Sequence, residues 1–137
     1  MADINLSFKK TFKNEGGYTH NSHDTGKETY KGISIVFNPD WPGWKIIHKT
    51  IKSLGINNTL DCSLSTRTKI DNALENLPEL QEQVIKLYKV KYWDPLNLDN
   101  EPNQIIADSV FDSAVLIGVM REKKSIEDAR KKADEII

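Results

Sequence analysis

One cysteine, Cys62, stands alone in 137 residues. A single thiol closes no internal disulfide, so the fold does not rely on an oxidising compartment. No basic tract appears and the formal net charge is −1, which excludes nucleic-acid binding by bulk electrostatics and leaves no nucleic acid among the expected partners. No apolar run approaches the roughly 20 residues of a membrane span, so no stable membrane insertion is expected. The N-terminus, "MADINLSFKKTFKNEGG", lacks a basic start followed by an apolar stretch, the pattern of a secretory signal. Also missing are G-x-x-x-x-G-K-[ST], G-x-S-x-G and paired C-x-x-C patterns, which removes phosphate loops, hydrolase elbows and redox pairs from consideration.

What is present is an ordinary globular composition: 38% hydrophobic and 28% charged. The length suits one domain over residues 1–137, with a core that needs neither metal nor disulfide. Ile4, Phe8, Thr11, Phe12 and Glu15 repeat at helical spacing, Asp3 is a plausible N-cap, and Gly16-Gly17 is a strong stop. Residues 16–32 read as a long polar loop that could hold a short hairpin turning near Thr25-Gly26. A helix over 44–54 follows, closed by Gly55, and then a short helix over 66–76. Pro78 opens a helix over 78–93. Pro102 opens another to about Ile117, and Ser125–Asp128 resembles a capping box that starts a charged terminal helix. The expected fold is mainly α, with five or six helices and no internal repeat.

Glu15 raises the functional question. Continued at about 100° per residue, the stripe brings it within about 20° of Ile4, on the apolar face. A carboxyl deprived of water holds its proton more tightly, as a general acid must. Such an acid protonates the leaving oxygen when a glycosidic bond is cut. The plain alternative is a carboxylate that caps or pairs at a helix end. Asp24 and Glu28, with Thr29 beside them, could position a water opposite Glu15; taken singly, each also suits a solvated loop. Flanking glycines let a substrate approach the backbone. Tyr18 and Tyr30 lie in the polar loop and are the better sugar-stacking candidates, whereas Trp44 and Tyr88 belong to core stripes. His20 and His23 alone make a poor metal site, so no metal is expected. Asp108 and Asp112, four apart on one helix face, are read as structural.

Glu15-Gly16-Gly17-Tyr18 with the downstream Asp24–Ser34 stretch, "DTGKETYKGIS", resembles the glycoside hydrolase family 108 lysozymes, as do "WPGWKII", "KYWDPLNLD" and "ADSVFDSAVLIGV". These are N-acetylmuramidases of phages, prophages and Gram-negative bacteria, some labelled secretion activators or peptidoglycan domain proteins. Two positions depart from the family pattern: Lys27 replaces a glycine and Leu116 an asparagine. The resemblance also implies a C-terminal peptidoglycan-binding region, which is expected to be truncated or absent here. The resemblance implies a lysozyme-like single domain with a long N-terminal active-site loop. It implies cleavage of the β-1,4 bond between N-acetylmuramic acid and N-acetylglucosamine, with Glu15 as general acid and no cofactor. Asp24, Glu28 or Thr29 would hold the water, while Gly16, Gly17, Tyr18 and Tyr30 would contact the sugar. The implied partners are peptidoglycan strands, with a holin or export machinery carrying a cytoplasmic product to the periplasm and cell wall. A peptidoglycan-binding or secretion-accessory module without hydrolysis is the alternative.

Overall fold

The computed structural model describes residues 1–12, 17–23 and 27–136. In chain order these form α1 (Ile4–Thr11), β1 (Tyr18–His20), β2 (Glu28–Tyr30), β3 (Ile33–Ser34), α2 (Gly43–Ser53), α3 (Leu64–Glu75), α4 (Pro78–Tyr88) and α5 (Gln104–Ile136). The mainly α expectation holds, with one small sheet near the N-terminus. Among the described residues no helix is long and apolar enough to cross a membrane.

Asp3 caps α1 as its sequence position suggests, its side chain accepting from Asn5 N at 2.9 Å. The helix buries Ile4, Ser7 and Phe8 against the start of α5. Three polar links fasten that packing. Asp3 N–H donates to Gln104 Oε1 at 2.6 Å. Ser7 Oγ–H donates to Asp108 Oδ1 at 2.5 Å. Lys10 Nζ pairs with Asp108 Oδ2 at 2.9 Å. Asp108 therefore has the structural role its spacing suggested.

Residues 16–32 are less of a loop than their composition implies. β1, β2 and β3 form an antiparallel sheet in that order, in the register Tyr18↔Tyr30, His20↔Glu28 and Tyr30↔Ile33. The turn between β2 and β3 is Lys31-Gly32, with φ 47° and 81°. Positive φ at both central residues is what a two-residue hairpin turn needs to match strand twist. Tyr88 secures it by donating its hydroxyl to Lys31 O at 2.5 Å.

Two helix boundaries differ from expectation. The helix expected over 78–93 is α-helical only to Tyr88; Lys89–Trp93 form a π-helical turn, followed by a 3-10 turn at Asp94–Leu96. A turn closed from residue i to i+5 lays Trp93 over the same side as Tyr88, and both are buried. In an α-helix, five residues on points about 140° away. Trp93 then packs edge-on against Phe111, with ring centroids 5.6 Å apart, and donates its indole N–H to Asp99 Oδ1 at 2.8 Å. The two helices expected after Pro102 are one, running from Gln104 to Ile136. Asn103 caps its start, accepting from Ile105 N at 2.9 Å. No proline and no left-handed glycine lies between Ile117 and Ser125 to stop it. Gly118 sits inside the helix, where a Cβ would fall 2.7 Å from Tyr92 Cζ.

Candidate functional site

The glycines of Glu15-Gly16-Gly17-Tyr18 differ in what can be said of them. Glu15, Gly16 and Asp24 lie outside the described residues. Gly17 and Tyr18 are described, and both are held by α3. Tyr18 N–H donates to Asp71 Oδ1 at 2.8 Å. A Cβ on Gly17 would fall on the Asp71 carboxylate, 2.6 Å from its Cγ. Regular α1 ends at Thr11, and Phe12 leaves helical geometry at φ −107°, ψ 17°. The angular argument that carried the apolar stripe from Ile4 to Glu15 therefore stops at Phe12.

Strand alternation sorts the remaining candidates onto two faces. Tyr18, His20, Glu28 and Tyr30 share one face, with Thr19 and Thr29 on the other. On the first face lies a cleft of about 350 Å³ bordered by Tyr18, Glu28, His48, Lys52, Asn57 and Thr59. The Glu28 carboxylate is engaged there: Oε1 accepts from Tyr18 Oη–H at 2.6 Å and from His48 Nε2 at 2.8 Å. The donor order then follows. Tyr18 gives its one proton to Glu28, so its oxygen accepts from the Thr59 hydroxyl at 2.9 Å. Thr59 has then used its own proton, and accepts from His20 Nδ1–H at 2.8 Å. Burial, then the hydrogen bond and charge of Glu28, push the Tyr18 phenol well above the usual tyrosine range.

Tyr30 corrects an expectation. It is fully buried (0% exposed) and is absent from the lining of this cleft. Its hydroxyl accepts from Gln81 Nε2 at 2.9 Å. Burial pushes its pKa up to about 12, against the opposing Gln81 hydrogen bond and with the help of the Glu75 and Asp71 charges. Its ring is core, paired across strands with Ile33, and offers no face to a sugar. Tyr18 is equally buried at 1%, and only its hydroxyl end reaches the cleft. Trp44 and Tyr88 are buried, as their stripes indicate. His20 bonds Thr59, and among the described residues no three acidic, histidine or cysteine side chains gather as a metal site.

A second cleft, of about 380 Å³, opens where α1 ends against α5. Thr11, Phe12, Gly32, Asp112, Val115 and Leu116 border it. It combines an apolar wall with polar groups. Leu116 is 59% exposed. Thr11 Oγ1 is buried without a hydrogen-bond partner among the described residues. An unsatisfied buried hydroxyl at a cleft is a place for water or a ligand hydroxyl. Asp112 is thus a cleft residue, unlike its neighbour Asp108.

Sequence reading missed His48, Thr59 and Asp71, each joined to the hairpin across 20 to 53 positions. None stands in a local pattern. The only trace was Gly17, whose missing side chain leaves room for Asp71. No curated protein and no solved structure matches the chain. One family model, glycosyl hydrolase 108, matches residues 8–118. That span runs from α1 to Gly118 of α5 and includes Glu15-Gly16-Gly17-Tyr18, the first cleft and all of the second but Val119. The chain belongs to the glycosyl hydrolase 108 family.

Proposed function

We propose that this glycosyl hydrolase cuts peptidoglycan at the β-1,4 bond between N-acetylmuramic acid and N-acetylglucosamine, with Glu15 as general acid. The observation that carries the reading is the family match across an intact Glu15-Gly16-Gly17-Tyr18. Glu15 follows Phe12, which borders the α1–α5 cleft, by three residues in the sequence. The apolar wall of Phe12, Val115 and Leu116 suits the flat face or acetyl methyl of an amino sugar. The unsatisfied Thr11 hydroxyl and the Asp112 carboxylate suit its hydroxyl and amide groups.

In the reaction, the Glu15 carboxyl gives its proton to the bridging oxygen as the C1–O bond breaks. Water adds to C1 and surrenders a proton to a base. Asp24, Glu28 or Thr29 would hold that water. Glu28 Oε1 already accepts two hydrogen bonds, and Thr29 is on the opposite face of the sheet. A separation of about 6.5–9.5 Å between the acid and a partner carboxylate would go with inversion, and about 5–5.5 Å with retention. Acting on this substrate requires passage to the cell wall, by a holin or an export route.

The test is loss of turbidity of purified cell walls. Glu15→Gln, nearly isosteric but without an acidic proton, is expected to lower the rate by about 10²–10⁴-fold. Equal lysis by both proteins removes Glu15 from the mechanism. The exposed Leu116 side chain in the cleft favours, as a second reading, a module that binds glycan without cutting it. Binding to sacculi with no new reducing ends would select that reading.

A further inference from the structure

β1 is an edge strand, with β2 on one side only. Its outer backbone groups need partners from elsewhere, since an unmet edge is costly when covered. Two long-range contacts supply them. His20 O accepts from Asp61 N at 2.7 Å. Tyr18 N–H donates to the Asp71 carboxylate at 2.8 Å. The second contact has no room to spare, because the same carboxylate occupies the space where a Gly17 side chain would stand. At its other end Tyr18 is fixed through its hydroxyl by Glu28 and Thr59. α3 meanwhile is anchored by Ile70 and Leu74, both fully buried on either side of Asp71.

From this we infer that Asp71 is a positioning residue for the Glu15-Gly16-Gly17-Tyr18 segment. It fixes the chain at the first residue of β1, and Gly17 is a glycine so that Asp71 can reach that point. On this account the second glycine serves a contact inside the protein rather than the approach of substrate. The inference rests on the proposed hydrolase reading only for its kinetic consequence; the Asp71–Gly17 coupling stands apart from it.

The coupling predicts a particular pattern in four proteins. Gly17→Ala puts a methyl on the Asp71 carboxylate, expels it and so breaks the bond to Tyr18 N–H. Asp71→Ala removes the same bond directly. Each single change is expected to lower kcat for cell-wall hydrolysis by about ten- to a hundredfold, the range for a misplaced catalytic segment, with KM changed by less than about twofold. The double variant should be no worse than either single one, because the two changes remove one interaction. Asp71→Asn keeps an amide oxygen for Tyr18 N–H and should restore kcat to within about threefold of wild type. Melting temperatures of the same proteins should show the same non-additivity. Additive losses in kcat or in melting temperature would overturn the inference, as would wild-type kcat in Asp71→Ala. If Asp71→Ala does not fold, Asp71→Ser clears the same space and replaces it in the cycle. If the wild-type protein releases no reducing ends, the hydrolase reading fails, and the melting temperatures alone decide the coupling.

Discussion

Asp108→Asn isolates the junction that sets where α1 ends. Asp108 is 8% exposed and sits between the two helices. Its Oδ1 accepts from Ser7 and from Gln104 Nε2, the latter at 2.7 Å, while Oδ2 faces Lys10. An asparagine can keep its oxygen toward Ser7 and Gln104, but then turns an NH2 group toward the lysine ammonium. The Lys10 pair is worth at most about 1 kcal/mol, because the lysine side chain is 68% exposed. Loss of charge assistance in the two remaining bonds removes about 0.5 kcal/mol or slightly more from each. The total is about 2 kcal/mol. For 137 residues this lowers the melting temperature by about 7 °C at pH 7. Burial would raise the Asp108 pKa, yet the bonds from Ser7, Lys10 and Gln104 outweigh it and hold the carboxyl below its usual value. The native state thus binds fewer protons than the unfolded chain as pH falls below the ordinary aspartate range of about 3.9. The stabilisation is complete above that range and is lost as pH falls through the native pKa. Thermal melts of both proteins should show a gap of about 7 °C near neutrality that narrows at about pH 3. A difference below about 1 °C at pH 7, or a gap of equal size at both pH values, would refute the reasoning.

Two other outcomes follow from the packing. Gly118→Ala should gain about 1 kcal/mol from helix propensity alone, but the added methyl meets the Tyr92 ring. A net loss of about 1–2 kcal/mol is expected in urea melts, reversing to a gain when Tyr92 is also changed to Ala; stabilisation by Gly118→Ala alone would sink the idea. Tyr18 and Tyr30 should resist ionisation, since burial raises both phenols. An absorbance titration should find at least two of the four tyrosines still protonated at about pH 11, where free tyrosine has ionised. Because the raised native pKa favours the neutral form, stability is full below about pH 10 and declines as pH rises through the native values. Four tyrosines titrating together would contradict the burial argument.

Local chemistry explains what the sequence revealed of the fold. Asp3, Gly55 and Pro78 mark helix ends because capping, left-handed backbone and a missing N–H act within a few residues. The family itself was legible because five short segments recur in order. The antiparallel pairing of β1 with β2 agrees with the short hairpin expected in 16–32, whereas β3 was hidden because its turn uses Lys31-Gly32, and a lysine at positive φ gives little warning. Tyr30 was mistaken for a loop aromatic for the same reason: once β2 pairs with β3, its ring must turn toward the core. The Ser125–Asp128 pattern occurs inside helices as well as at their starts, and only a breaker between 117 and 125 would have told the two apart. Asp71, His48 and Thr59 reach the hairpin through tertiary contacts that no spacing announces.

The π-helical turn at Lys89–Trp93 amounts to one residue more than an α-helix would use over the same span. It behaves as an insertion that the helix absorbs by widening rather than by looping out. Everything after it is consequently phased one residue late. Deleting exposed Val90 would restore a regular helix locally and leave Trp93 four residues after Tyr88, within about 40° of the same face, so it still points toward Asp99 and Phe111. A chain one residue shorter across 89–93 can therefore seat Trp93 on the same face without the π turn.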